Sequence, residues 1–151
     1  MINLKEILTS FPVDKQQEFI SFLEKKNKRT DAKNSQLTKL LISDTHSLKE
    51  ICFILYQSEN KVAYHALRKR LFQSIIDFTA STNLKEENST DIQLIKLILS
   101  ARTFLQKKQY SVGYKILDKA EVIAKEHQLF TILNEIYHSK IQYAYTRQSI
   151  N

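Results

Sequence analysis

The scarcity of chain-breaking residues is the feature that most constrains this fold. One glycine, Gly113, and one proline, Pro12, stand among 151 residues. β-Sheet proteins need glycine, proline and Asn-Gly turns between their many strands. Lysine, leucine, isoleucine, glutamine and glutamate are abundant instead, and most of these favour helices. The composition therefore predicts an all-α chain, and its length suits one domain of average size.

Apolar residues recur at helical spacing along the chain and predict an antiparallel bundle or α-solenoid-like array of about eight helices. The predicted helices cover residues 2–10, 15–28, about 36–42, 48–57, 61–80, about 92–106, about 112–126 and 129–146. Residues 30–35 and 81–91 are polar and are predicted to be loops. The second of these loops would separate an N-terminal bundle, residues 1–80, from the helices of residues 92–147, although both sets can also pack as one domain.

Local signals refine these helices. Asp14 is predicted to cap the second helix, and Ser47 with Glu50 has the spacing of a capping box. The helix 48–57 is apolar over most of its girth, which predicts a position central to the core. The stripe of the next helix comprises Tyr64, Leu67, Leu71, Ile75 and Phe78, widened by Phe72 and Ile76.

The net charge of +7 comes from 23 basic and 16 acidic residues that are spread along the chain. An even spread predicts weak attraction to polyanions, and a solvated basic surface explains it better than a nucleic-acid site. Cys52, the one cysteine, lies among apolar neighbours and is predicted to be a small buried hydrophobe. Neither a signal sequence nor a run of about 18 apolar residues occurs, so we expect a cytoplasmic protein without a membrane partner.

Residues 97–120 resemble a tetratricopeptide repeat, a helix–turn–helix of about 34 residues in which small and aromatic residues recur at set intervals. The residues that carry the resemblance are Leu97, Ala101, Phe104, Tyr110, Gly113, Leu117 and Ala120. Ser100 stands where the repeat usually has leucine, and the proline expected near residue 125 is absent. The layout is also similar to uncharacterised bacterial proteins that carry a short helical module ahead of tetratricopeptide-like helices. The resemblance implies a scaffold for protein partners and does not identify one.

The last predicted helix has two apolar faces. One face comprises Leu129, Ile132, Leu133, Ile136 and Tyr143, and the other comprises Phe130, Tyr137, Ile141 and Tyr145. Either both faces fold into one compact bundle, or the second face binds a protein partner or a second copy of the chain. The first helices of tetratricopeptide-like arrays line the concave surface. On these grounds the predicted partner contacts are Arg102, Gln106 and Lys107 as polar residues and Tyr137, Ile141 and Tyr145 as apolar ones.

An alternative function comes from residues 47–70. The order Glu50, Ile51, Cys52, Leu55, Ser58, Val62 and His65 resembles the helix-turn-helix of LuxR-type transcription regulators. That resemblance implies a DNA-binding transcription regulator in which Lys61, Tyr64, Arg68 and Lys69 face the DNA. Lys61 occupies a position where that family usually has threonine, and the following helix is unusually apolar for a recognition helix.

No pattern in the sequence predicts an enzyme. The four histidines, His46, His65, His127 and His138, lack the His-x3-His and His-x-His spacings of zinc sites. We therefore predict no catalytic residue, no metal, no cofactor and no small-molecule substrate. The preferred function is a non-enzymatic protein–protein interaction module.

Overall fold

The computed structural model describes residues 3–26 and 32–147, and every regular element within them is a helix. The all-α prediction is confirmed. In chain order the helices are α1 (Leu4–Ser10), α2 (Val13–Lys26), α3 (Ala32–Ser43), α4 (Leu48–Tyr56), α5 (Lys61–Glu86), α6 (Thr90–Gln106), α7 (Tyr110–Glu126), α8 (Phe130–Gln142) and α9 (Ala144–Arg147). None of these described helices combines the length and apolar character that crossing a bilayer requires.

Contacts divide the chain into two compact units, Met1–Thr82 and Asn83–Asn151. The first unit has a core to which each of its helices contributes buried leucine, isoleucine or aromatic side chains. Phe11, Phe19, Phe22 and Phe78 form a ring cluster at its centre, with the Phe19 and Phe78 centroids 5.2 Å apart. The predicted stripe of α5 is buried throughout, from Tyr64 to Phe78. Ile76, predicted to widen it, is instead exposed.

Two predictions about the ends of helices in the first unit are wrong. Helix α3 begins at Ala32, so the predicted loop over residues 30–35 is helical wherever it is described. Asn34 and Ser35 are buried there, and burial of this first turn overrides the preference of polar residues for loops. Helix α2 begins at Val13, which places Asp14 inside its first turn and not at its cap. Gln16 donates from Nε2 to the carbonyl oxygens of Leu8 and Phe11 and so ties α2 to the end of α1.

Helix α4 begins as predicted but is not central. Ser47 and Glu50 form the predicted capping box. Only one stripe of the helix is buried, because α3 packs on it from one side: Ile51, Cys52 and Leu55 point inward. Leu48, Phe53 and Ile54 are exposed, contrary to the prediction of a helix buried over most of its girth.

The second unit is built on the hairpin of α6 and α7, the most extensively packed pair of helices among the described residues. Gly113 permits this close approach, since a Cβ atom there would lie 2.6 Å from Leu105 Cγ and 3.3 Å from the Ala101 carbonyl oxygen. The turns that end α6 and α7 have the same form. Each has a left-handed residue at its middle position, Lys108 (φ 61°) and Gln128 (φ 56°).

Four helix ends in the second half of the chain differ from prediction. Helix α5 continues to Glu86, six residues past the predicted end, because its apolar stripe is followed by residues that tolerate helix. Ser89 caps α6 by accepting the Ile92 N–H, so this helix begins at Thr90, about two residues before its predicted start. Helix α7 begins at Tyr110, also about two residues early. Helix α8 ends at Gln142, and a turn at Tyr143 separates it from α9, so the single helix predicted over 129–146 is interrupted.

Candidate interaction surface on helix α8

The inner face of α8 packs on both helices of the hairpin. Ile136 and Ser139 are fully buried on this face, and Ile132 and Leu133 pack partly buried beside them. Together they complete a core that contains Leu94, Ala101, Leu105, Leu117, Ala120 and Ala124. The inner face of α8 is therefore used for folding.

The flank of α8 that faces α6 is fixed by Arg102. Its Nε donates to Ser139 Oγ at 2.9 Å, and one terminal nitrogen pairs with Glu135 Oε2 at 2.8 Å. Ser139 Oγ in turn donates to the Glu135 carbonyl oxygen at 2.9 Å. Arg102 thus acts as a brace between two helices.

The flank that faces α7 carries a cluster of charged residues. Lys140 pairs with Asp118 at 2.5 Å and also with Glu121, which itself pairs with Lys125 at 2.5 Å. The Tyr137 hydroxyl donates to Glu121 Oε1 at 3.0 Å. Hydrogen bonds from Lys125 and Lys140 lower the pKa of the Glu121 carboxyl from 4.5 to about 2. The carboxylate therefore stays ionised, and the cluster fixes the Tyr137 ring at the edge of the outer face.

The outer face of α8 carries Phe130, Asn134, Tyr137 and Ile141, which we call the outer row. Phe130 and Ile141 are 71% and 72% exposed, Tyr137 is 37% exposed, and Asn134 is exposed between them. Tyr145, on the short helix α9, is 88% exposed. Phe130 also lines an open cavity of about 290 Å³ together with Asp91 and residues 128–132. Large apolar side chains in this number on one helix face are typical of an interaction surface.

The predicted partner contacts divide into two groups. Tyr137, Ile141 and Tyr145 are exposed, as a contact requires. Gln106 and Lys107 are also exposed, at the end of α6 and in the turn that follows it. Arg102 is instead engaged within its own unit by Glu135 and Ser139, so the structure does not present it as an open contact.

Among the predicted DNA contacts, Tyr64 is buried and unavailable to a partner. Tyr64 is 3% exposed and belongs to the core of the first unit, where burial also raises the pKa of its hydroxyl. The Arg68 guanidinium lies over the Tyr64 ring at 5.8 Å from its centroid. Lys61 and Lys69 are exposed. Val62, the apolar residue of the motif in the second helix, is 81% exposed, although a helix-turn-helix requires it to pack inward.

Sequence reasoning missed the two polar flanks of α8. The acid pair Asp118 and Glu121 has helical spacing, but only a tertiary structure shows that Lys140 lies opposite both. Likewise, nothing local in the sequence links Arg102 with Ser139, 37 residues later. Cys52 is buried as predicted, and burial raises the pKa of its thiol. Within residues 3–26 and 32–147, no group of three or more His, Cys, Asp or Glu side chains is arranged to hold a metal ion.

The search for similar proteins returned no matching family model, no matching curated protein and no matching solved structure. The resemblances to tetratricopeptide repeats and to LuxR-type regulators accordingly stay predictions. The residues of the outer row and its flanks are therefore the basis for a functional proposal.

Proposed function

We propose that this chain is a non-enzymatic protein–protein interaction module and that the outer row of α8 is its docking surface. The observation that carries the proposal is the exposure of Phe130 and Ile141, each above two thirds, on a helix whose opposite face packs on the α6–α7 hairpin. Leaving such side chains in water costs free energy that a partner recovers by covering them, roughly 25 cal/mol per Å² of apolar surface.

The flanks support the same proposal, because they hold the row rigidly. Arg102 fixes one side of α8, and the Glu121 cluster fixes the other and orients Tyr137. A rigid aromatic and aliphatic anchor loses little conformational entropy when it binds, which favours affinity. The straight row on a helix suits a helical partner that presents its own apolar face, as in helix-to-helix docking.

A photo-crosslinking experiment in intact cells tests the proposal. A benzoylphenylalanine in place of Ile141 should give covalent adducts with a protein, because this position faces the partner. The matched control replaces Val122, which is 56% exposed on α7 and lies outside the outer row. Adducts at position 141 and none at 122 are expected. Equal yields at both positions, or none at 141, would contradict the proposal.

A further inference from the structure

The spacing of the outer row points to the class of partner. Phe130, Asn134, Tyr137 and Ile141 follow one another at intervals of four, three and four residues. This alternation keeps residues in line along the seam between two helices that wind around each other with a left-handed twist. The row therefore has the geometry to pack along the length of a second helix.

The distribution of charge on α8 further restricts the class of partner that fits the outer row. The helix carries two formally charged residues, Glu135 and Lys140, and both are paired at the flanks, with Arg102 on one side and with Asp118 and Glu121 on the other. The row itself carries no formal charge. In a two-fold contact each surface meets itself, so an unpaired charge near the axis would face an identical charge. The outer row avoids this repulsion in a chain whose net charge is +7.

Asn134 gives the row self-complementary polarity. Its amide both donates and accepts, so two copies of it pair with each other across a two-fold axis. An asparagine at such a seam position selects one register and one number of helices, at some cost in affinity. It is flanked by Phe130 on one side and by Tyr137 and Ile141 on the other, which places it inside the apolar row.

From these three observations we propose that the outer row binds the outer row of a second copy of this chain, with the two Asn134 side chains facing each other. This inference rests on the proposed function and names its partner. One helix of 13 residues per copy is small beside the interfaces of about 1,600 Å² that stable complexes bury. The dimer is therefore expected to be reversible, with a dissociation constant of roughly micromolar order.

Sedimentation equilibrium of the full chain over a range of concentrations measures this association. The wild type should shift from the mass of one chain to the mass of two as concentration rises. Ile141→Glu should weaken the association by about tenfold or more, since it places like charges in the seam. Val122→Glu is the matched control and should leave it unchanged. Far-UV circular dichroism and thermal unfolding of both variants show that each is folded.

A second variant tests the register without relying on affinity. Asn134→Cys should form a disulfide between two chains under mild oxidation, because residues on a two-fold axis lie opposite themselves. Val122→Cys should not form one. Cys52 is buried and is retained in both variants.

The two proposals fail in different ways. A wild type that stays monomeric at the highest concentrations, with no disulfide through Asn134→Cys, would overturn the second-copy inference. If position 141 still crosslinks to a protein of another mass, the proposed function stands and only the partner assigned here is wrong. If position 141 yields no adduct, both fail.

Discussion

The two faces of α8 have nearly the same apolar content but opposite surroundings. The inner face, with Ile132, Leu133 and Ile136, packs on the α6–α7 hairpin. The outer face, with Phe130 and Ile141, is open to solvent. The charged residues of the helix lie on neither face and are paired at the flanks. Folding of the second unit therefore uses one of the two apolar faces of this helix and leaves the other open.

The exposed apolar residues of α4 differ in arrangement from those of the outer row. It also exposes apolar side chains, Phe53 and Ile54. These two neighbours lie about 100° apart around the helix axis, and Glu50 is on the exposed face between them. They therefore make no continuous seam. On α8, by contrast, Phe130, Tyr137 and Ile141 lie in one row along the helix.

The largest expected effect tests whether the inner face is used for folding. Ile136→Ala removes a fully buried side chain and should lower the free energy of unfolding by about 2–5 kcal/mol. Ile141→Ala, its matched control on the outer face, should change it by less than about 0.5 kcal/mol. Chemical denaturation of both variants measures the difference. Similar losses at the two positions would show that both faces are part of one core.

The second prediction concerns the hairpin on which the inner face packs. A Cβ atom at Gly113 would meet buried Leu105, so Gly113→Ala should destabilise the chain by about 1–3 kcal/mol through overpacking. Alanine regains about 1 kcal/mol of helix propensity, so the expected net loss is at most about 2 kcal/mol. Ser111→Ala, at an exposed position of the same helix, serves as control. A more stable Gly113→Ala variant in thermal unfolding would mean that α6 and α7 do not approach closely.

The third prediction tests the flank that orients Tyr137. The pKa of Glu121 is about 2 in the folded chain, against an ordinary value of 4.5. Its contribution to stability is therefore complete above pH 4.5 and is lost as the pH falls towards 2. Glu121→Gln should flatten the dependence of unfolding free energy on pH in this window and cost about 1 kcal/mol at neutral pH. Glu126→Gln, an exposed position on the same helix, is the control. If Glu121→Gln left the pH dependence of the unfolding free energy unchanged, the ion pairs of Glu121 would not stabilise this flank.

The smallest expected effect tests whether Arg102 links two helices or contacts a partner. Arg102→Ala removes the bonds to Ser139 and Glu135 and should cost about 1 kcal/mol of stability. It should leave association unchanged, because Arg102 lies at the flank and not on the outer row. Ser100→Ala, at an exposed position of the same helix, should alter neither quantity. If Arg102→Ala instead weakened association without changing the free energy of unfolding, Arg102 would be a partner contact.

Periodicity predicts much of this fold, because a helix needs only local information. The buried stripe of α5, the Ser47–Glu50 capping box and the helices of the hairpin follow from residues within a few turns. The second apolar face of α8 is likewise visible from spacing alone. Periodicity does not show which elements pack against a given helix. It predicts that α4 is central to the core, although α4 is packed on one side only and Phe53 is exposed to solvent.

The candidate site shows the same limit. Sequence alone identifies Tyr137, Ile141 and Tyr145, because their spacing sets them apart from the inner face. It does not reveal that Arg102 is bonded to Glu135 and Ser139, because these bonds join residues more than 30 positions apart in the sequence. It also selects Tyr64 as a DNA contact, although that ring completes a core. Tertiary packing decides whether Tyr64 is buried, and a short sequence motif gives no information about that packing.

The yield of photo-crosslinked adducts at position 141, compared with that at position 122, tests the central claim most directly. Both side chains are apolar and more than half exposed, and they lie on adjacent helices of one unit. Exposure alone would give them the same yield. If the outer row is a docking surface, protein adducts form at position 141 and none form at position 122. If the partner is a second copy of the chain, the adduct has twice the mass of one chain. Equal yields at the two positions, or adducts at 122 alone, would contradict the claim that the outer row of α8 is a docking surface.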